Sequence, residues 1–301
     1  MRIYVKTPLF QNSKAIPHMV EHCVGHNMLS LSDFFEYSYG VDGIISPEYT
    51  VFEYDEWVDY QVAMQQLMTP LTKKAFDYEK KVLDAELSDP SYDQRIYERL
   101  VQLLINPQIC LNSCEGLSWK KTTEYHQKWY HTNNMIVVNN DYQILYQGGN
   151  IPKKQHHTTE LISLPFTFEE DEYLLLQAKN RNENIYWEQY FLFRIISFYV
   201  SYQMRWHQQE YYYLDPYFYT YDTINRVLLP KIPLSAFDQS FFEWGKKYIL
   251  QMFSNGYFKE KFFLNTYIYN RPMERIDVIA FYQHYTWEDF YQFLQKSSFF
   301  Q

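Results

Sequence analysis

Two histidines and a glutamate stand close together in Ile16-Pro17-His18-Met19-Val20-Glu21-His22-Cys23, which reads H-x-x-E-H. On a helix, residues three and four apart share a face, so His18, Glu21 and His22 point the same way. Two imidazoles one turn apart can grip a single Zn²⁺ through ring nitrogens at about 2.0–2.1 Å. Glu21, one position ahead of the second histidine, then lies beside the attacking water and off the metal. There it can take a proton from the water and pass it to a leaving amine. The order is the inverse of H-E-x-x-H. A catalytic zinc wants a third protein ligand and an open position. That third ligand is read in Glu79-Lys80-Lys81-Val82-Leu83-Asp84-Ala85-Glu86. Glu79 and Glu86 are seven residues apart, and two helical turns take about 7.2, so both carboxylates share a face. Glu86 is assigned as the ligand and Glu79 as the carboxylate behind it, orienting a histidine and stabilising charge. Each half has a plainer reading: two helix histidines satisfied by neighbours, and an exposed acidic face paired with Lys80 and Lys81. Together they point to a metal centre.

A second constellation competes with it. Cys110-x3-Cys114 followed by His126-x4-His131 has nearly the spacing of a two-cysteine, two-histidine zinc finger, with a gap of 11 residues between the pairs. A finger needs its own small unit, and this stretch lies inside a longer continuous pattern, with no basic helix face for a nucleic-acid groove. His156-His157 are adjacent and rarely converge, so they read as a solvated loop. The markers of serine hydrolases, P-loops and dinucleotide folds are absent from the sequence.

The histidine motif needs a helix, predicted over Ala15 to Cys23 after a strand at Arg2 to Thr7. The acidic pair needs another, predicted over Lys73 to Ser88 and stopped at Asp89-Pro90, because the residue before proline avoids helical angles. Further helices are predicted over Leu31 to Tyr39, Trp57 to Met68, Tyr92 to Leu104 and Ser118 to Tyr130. Strands are predicted at Thr50 to Tyr54 and Met135 to Val138. A glycine-, proline- and polar-rich stretch from Gly148 to His157 reads as a linker. Beyond it come a strand at Tyr173 to Ala178, a long helix from Ile185 to Gln209, and strands at Tyr211 to Tyr221 and Arg226 to Leu229. Helices follow near Ala236 to Phe253, Phe258 to Tyr269 and Trp287 to Gln295. The expected fold is α+β, with two related domains, each of helices packed on a mostly antiparallel sheet.

Length and composition bound the rest. With 301 residues, 47% of them hydrophobic, the chain can bury a core. Three cysteines are too few and too odd for a disulfide framework, which fits a reducing compartment. The net charge of −9 speaks against nucleic acid as a partner. Apolar stretches break well short of the ~20 residues of a membrane span. The opening residues lack the pattern of a secretory signal. The expectation is a soluble, cytoplasmic protein. The 31 tyrosines and 23 phenylalanines are read as compositional bias and not as a binding surface.

Pro17 to Val24 resembles the active-site helix of the pitrilysin/insulinase family of inverted zincins, which includes mitochondrial processing peptidase, and most of all its presequence-peptidase branch. Members of that family pair H-x-x-E-H with two downstream glutamates seven apart, the second binding the metal; Glu79 and Glu86 fill those positions. Glu48 to Phe52 resembles the family's substrate-side strand, and Gly116 to Tyr130 with Asn134 to Val138 its closing helix and strand. Arg205 and Tyr212 keep the family's Arg-to-Tyr spacing of seven. The resemblance implies that these two reach the substrate and the tetrahedral intermediate across a cleft. Tyr211 and Tyr213 flank the position and leave its register open, and stacked core aromatics remain the plain alternative.

The resemblance implies a compact member, with a zinc-site peptidase domain over 1–150 and a second, related domain over 160–301 that supplies Arg205 and Tyr212. Relatives enclose a chamber with four such domains, which implies a dimer with a copy of this chain or with a metal-free paralogue. A peptide would lie extended along a sheet edge near Ser46 to Phe52. The expected function is a zinc endopeptidase acting on peptides or short unfolded segments, with leader peptides as one possible substrate class. The alternative is a non-catalytic peptide-binding or scaffolding subunit, disfavoured by the complete metal set.

Overall fold

The computed structural model describes residues 1–7, 15–28, 41–46, 49–104, 110–111, 113–149, 160–169, 171–179, 218–221, 224–230, 238–254, 259–268 and 275–296. The chain divides into two compact units, Met1–Asn150 and Ile151–Gln301. The predicted helices over 31–39 and 185–209 lie outside the described residues, as do Arg205 and Tyr211 to Tyr213.

In the first unit, β1 (Arg2–Lys6), β2 (Val41–Ser46), β3 (Tyr49–Tyr54), β4 (Met135–Val138) and β5 (Ile144–Gln147) form one antiparallel sheet in the order β2-β3-β1-β4-β5. The central strand is buried on both faces, as Ile3, Tyr4 and Val5 all are. Alternation sends Ile3 and Val5 into the core shared with the helices, beside Phe52, Met135 and Val137. Tyr4 turns to the opposite face and meets the Tyr49 ring at 5.5 Å. Two of the strands, β2 and β5, were not predicted. Both lie at sheet edges, where burial and apolar alternation are weakest. The edge expected near Ser46 to Phe52 also needs correction: β3 is hydrogen-bonded to β1 on one side and β2 on the other, so the outer strand is β2.

Among the described residues this unit has five α-helices: α1 (Ala15–Met28), α2 (Tyr60–Met68), α3 (Lys73–Glu86), α4 (Tyr92–Leu104) and α5 (Trp119–Trp129). Ala15, Met19, Val20, Cys23 and Val24 of α1 are buried, and α1 packs on α3 and α5 and touches β2. The helix continues five residues past the predicted end at Cys23, through Gly25, whose entropic cost of roughly 1 kcal/mol is small beside this packing. The N-terminus of α3 is fixed by Thr72, whose hydroxyl accepts from the Ala75 amide at 3.1 Å. Ala75, Phe76, Glu79 and Leu83 form its buried face, so one carboxylate is built into an apolar stripe. The predicted opening of α5 at Ser118 is observed as a cap, the hydroxyl accepting from Lys121 N.

The second unit holds a four-stranded antiparallel sheet of β6 (Glu160–Phe168), β7 (Asp171–Lys179), β8 (Phe218–Tyr221) and β9 (Ile224–Pro230), ordered β6-β7-β9-β8. The unpredicted strand is again an edge, β6, which tolerates Pro165 because an edge strand can spare a ladder donor. Helices α6 (Gln239–Ser254), α7 (Lys259–Phe263, continued by a π turn to Ile268), α8 (Arg275–His284) and α9 (Trp287–Lys296) follow. Phe242, Ile249, Phe253, Tyr282, Phe290 and Leu294 are fully buried among them. Among the described residues, no helix is long and apolar enough to cross a membrane.

His126 on α5 is buried, and its Nε2–H donates to the Leu67 carbonyl at 2.8 Å, tying α5 to α2. Burial pushes this imidazole below its ordinary 6.5, against a smaller opposing effect of the Leu67 bond. Above about pH 6.5 the ring is neutral whether folded or unfolded; below it, the unfolded chain takes up a proton that the folded chain resists. His126 therefore removes stability as pH falls through 6.5 toward its lower folded value. The metal-free chain is expected to lose urea midpoint relative to His126→Gln between about pH 7 and about pH 5. A gap between the two proteins that stays constant with pH would contradict this account.

Candidate metal centre

The side of α1 opposite its apolar stripe carries His18, Glu21, His22, Gly25 and His26, all half-buried. Facing it, α3 presents Glu79 and, two turns on, Glu86. Nε2 of His18 and Nε2 of His22 are 3.3 Å apart. Oε2 of Glu86 lies 3.4 Å from Nε2 of His22 and 3.8 Å from Nε2 of His18. A tetrahedron with metal–ligand bonds of about 2.0–2.1 Å has edges of about 3.3–3.4 Å, so the three atoms have nearly the spacing of one face of a zinc site. The donor set, two imidazoles and a carboxylate, is also one that catalytic zinc uses. Among the described residues this is the one group of three or more histidine, cysteine or acidic side chains that meets in this way.

Glu21 sits at the margin of that triangle, its Oε2 at 3.9 Å from Nε2 of His22. Its side chain lies against β2 where glycine leaves room: a Cβ on Gly43 would fall 2.3 Å from Oε1 of Glu21. Behind it lies Tyr130, whose phenol burial above all holds well above its ordinary value, so the ring stays neutral. Glu79 contacts the other side of His22, its Oε2 at 3.1 Å from Nδ1. A carboxylate can only accept here, so Nδ1 carries the proton and Nε2 keeps its lone pair toward His18 and Glu86. Glu79 also meets a residue that the sequence analysis passed over: its Oε1 is 2.7 Å from Nδ1 of His26. The clue was present in the spacing, since His18, His22 and His26 recur every four residues along one stripe.

The structure thus brings His18, Glu21, His22, Glu79 and Glu86 together. The acidic-face alternative fares less well, because Lys80 pairs with Asp84 at 2.8 Å. Cys23 belongs to the core; burial and the nearby charge of Glu79 push its thiol up to about 12. The finger-like set does not assemble. His126 spends Nε2 on Leu67, and Cys114 faces Asp84, with burial and that contact pushing its thiol up to about 12.

No family model matches the sequence, and no curated protein matches it. Solved structures are more informative. The chain is similar to a ferredoxin protease, FusC, solved as a point mutant in complex with Arabidopsis ferredoxin, with a TM-score of 0.56 at 12% identity. The match covers 98% of this chain and 43% of the FusC chain, so this chain spans less than half of that protein's length. FusC is a pitrilysin-family protease, the family that Pro17 to Val24 resembles. The chain thus shares an α+β fold with less than half of the FusC chain.

Proposed function

We propose that this chain is a zinc metallopeptidase that cleaves peptides or short unfolded segments. The observation that carries the reading is the triangle of Nε2, Nε2 and Oε2 from His18, His22 and Glu86, with edges of 3.3, 3.4 and 3.8 Å, beside the carboxylate of Glu21. His18, His22 and Glu86 would hold the metal. Zinc in such a site supplies a Lewis acid that polarises a carbonyl and brings the ionisation of water toward neutral pH.

The chain's own residues do the rest. Glu21 accepts a proton as the oxygen of water bonds to the scissile carbonyl carbon, then returns it to the amine nitrogen as the C–N bond breaks. Glu79 keeps His22 in the tautomer that leaves Nε2 available. Arg205 and Tyr212, in the roles the resemblance implies, would place positive charge and a hydrogen-bond donor at the developing oxyanion. An extended peptide would pair with the outer edge of β2, which runs past Glu21 at Gly43. In this reading residues 1–150 form the peptidase domain and residues 160–301 a related domain that lines the substrate.

The chamber of four such domains that the resemblance implies would be completed by a partner. That partner is a second copy or a metal-free relative. Leader peptides are one substrate class for this reading; ferredoxin is the protein with which FusC was solved.

Three measurements test the reading. Metal analysis should find one zinc per chain, lost in His18→Ala; zinc retained by that variant would move the metal elsewhere. Glu21→Gln should keep the zinc and abolish hydrolysis of a peptide library, a loss of at least about 100-fold; turnover at the original rate removes Glu21 from the mechanism. Sizing of the active species should give a dimer, and a fully active monomer would rule out the shared chamber.

A further inference from the structure

His26 has no part in metal binding or proton transfer as proposed, yet it makes the shorter of the two contacts to Glu79, 2.7 Å against 3.1 Å for His22. We propose that His26 is a positioning residue of the metal centre. Its Nδ1–H holds one oxygen of Glu79 so that the other stays on Nδ1 of His22. The inference rests on the zinc reading above.

Burying a charge without partners is costly. Glu79 is 9% exposed and stands among Ala75, Phe76 and Leu83 on the buried face of α3. A buried carboxylate is tolerated where donors satisfy its oxygens. Among the described residues those donors are His22 on Oε2 and His26 on Oε1. With His22 alone, Oε1 would be left without its donor, and the carboxylate would gain by rotating toward solvent. That rotation takes Oε2 off His22 and frees the ring to turn or to exchange tautomer. With both donors in place the carboxylate plane is fixed by two bonds from one helix. The Tyr78 ring, 5.2 Å from the His26 ring, flanks the outer imidazole.

Groups that orient a metal-bound histidine are worth about 10- to 100-fold in metal affinity. His26 acts one hydrogen bond further out, so the low end applies. Zinc affinity of the full chain is read by competition with a chromophoric chelator, alongside the visible spectrum of the cobalt-substituted protein. His26→Leu should weaken zinc about tenfold and alter the cobalt bands. His26→Asn, whose amide N–H occupies nearly the place of Nδ1–H, should restore most of the affinity. His26→Gln, with its donor one bond further out, should restore less. In a Glu79→Gln background His26→Leu should have little further effect, because the two act through one link.

Wild-type affinity in His26→Leu overturns the proposal. So does equal weakness of the Leu and Asn variants, which would mean that ring packing matters and the donor does not. If the Leu variant does not fold, the Asn and Gln variants decide, and equal affinities overturn it. Failure of the zinc reading looks different: the wild-type chain itself then binds no zinc, or His18→Ala binds it unchanged.

Discussion

A carboxylate buried between two helices sets the register on which the site depends. Glu79 receives two imidazoles from α1 while its own helix packs Phe76 and Leu83 into the core. Sliding or rotating α3 by a fraction of a turn would leave a buried charge without donors, at a cost of several kcal/mol. The same register carries Glu86, two turns further on, to the Nε2 atoms of His18 and His22. The spacing of the Nε2 and Oε2 atoms of His18, His22 and Glu86 is thus a consequence of helix packing, secured at Glu79. Exposure follows the same order, the Glu79 side chain at 12% and that of Glu86 at 47%. The interior end holds and the outer end meets solvent.

That register was partly legible in the sequence, because helices have a rigid period. Spacings of four and seven residues translate directly into a shared face, so His18, His22, Glu79 and Glu86 could be placed before any fold was known. His26 could have been placed by the same rule. The predicted helix ended at Cys23, three residues short of it. Whether α1 and α3 face each other is a different kind of fact. It depends on Met19, Val20, Phe76 and Leu83 sharing one core, and no local period contains that information.

The strands that escaped the sequence reading have a common cause. β2, β5 and β6 are all edges, and an edge strand gains little from a regular apolar face. β2 carries Gly43, β6 carries Pro165, and Ile144 and Leu145 of β5 are exposed. Central strands such as Arg2–Lys6 and Met135–Val138 are buried nearly throughout and announced themselves as short apolar runs.

Gly43 shows how an irregular edge strand makes room for its neighbour on α1. Its missing side chain is where the Glu21 carboxylate lies, so the feature that hid β2 in the sequence also brings that carboxylate against the strand. A Cβ there would meet Oε1, Cγ and Cδ of Glu21, so a larger residue would displace the Glu21 side chain. The constraint on position 43 therefore comes from the chemistry of its neighbour on α1, and strand propensity, which disfavours glycine, is overridden by it.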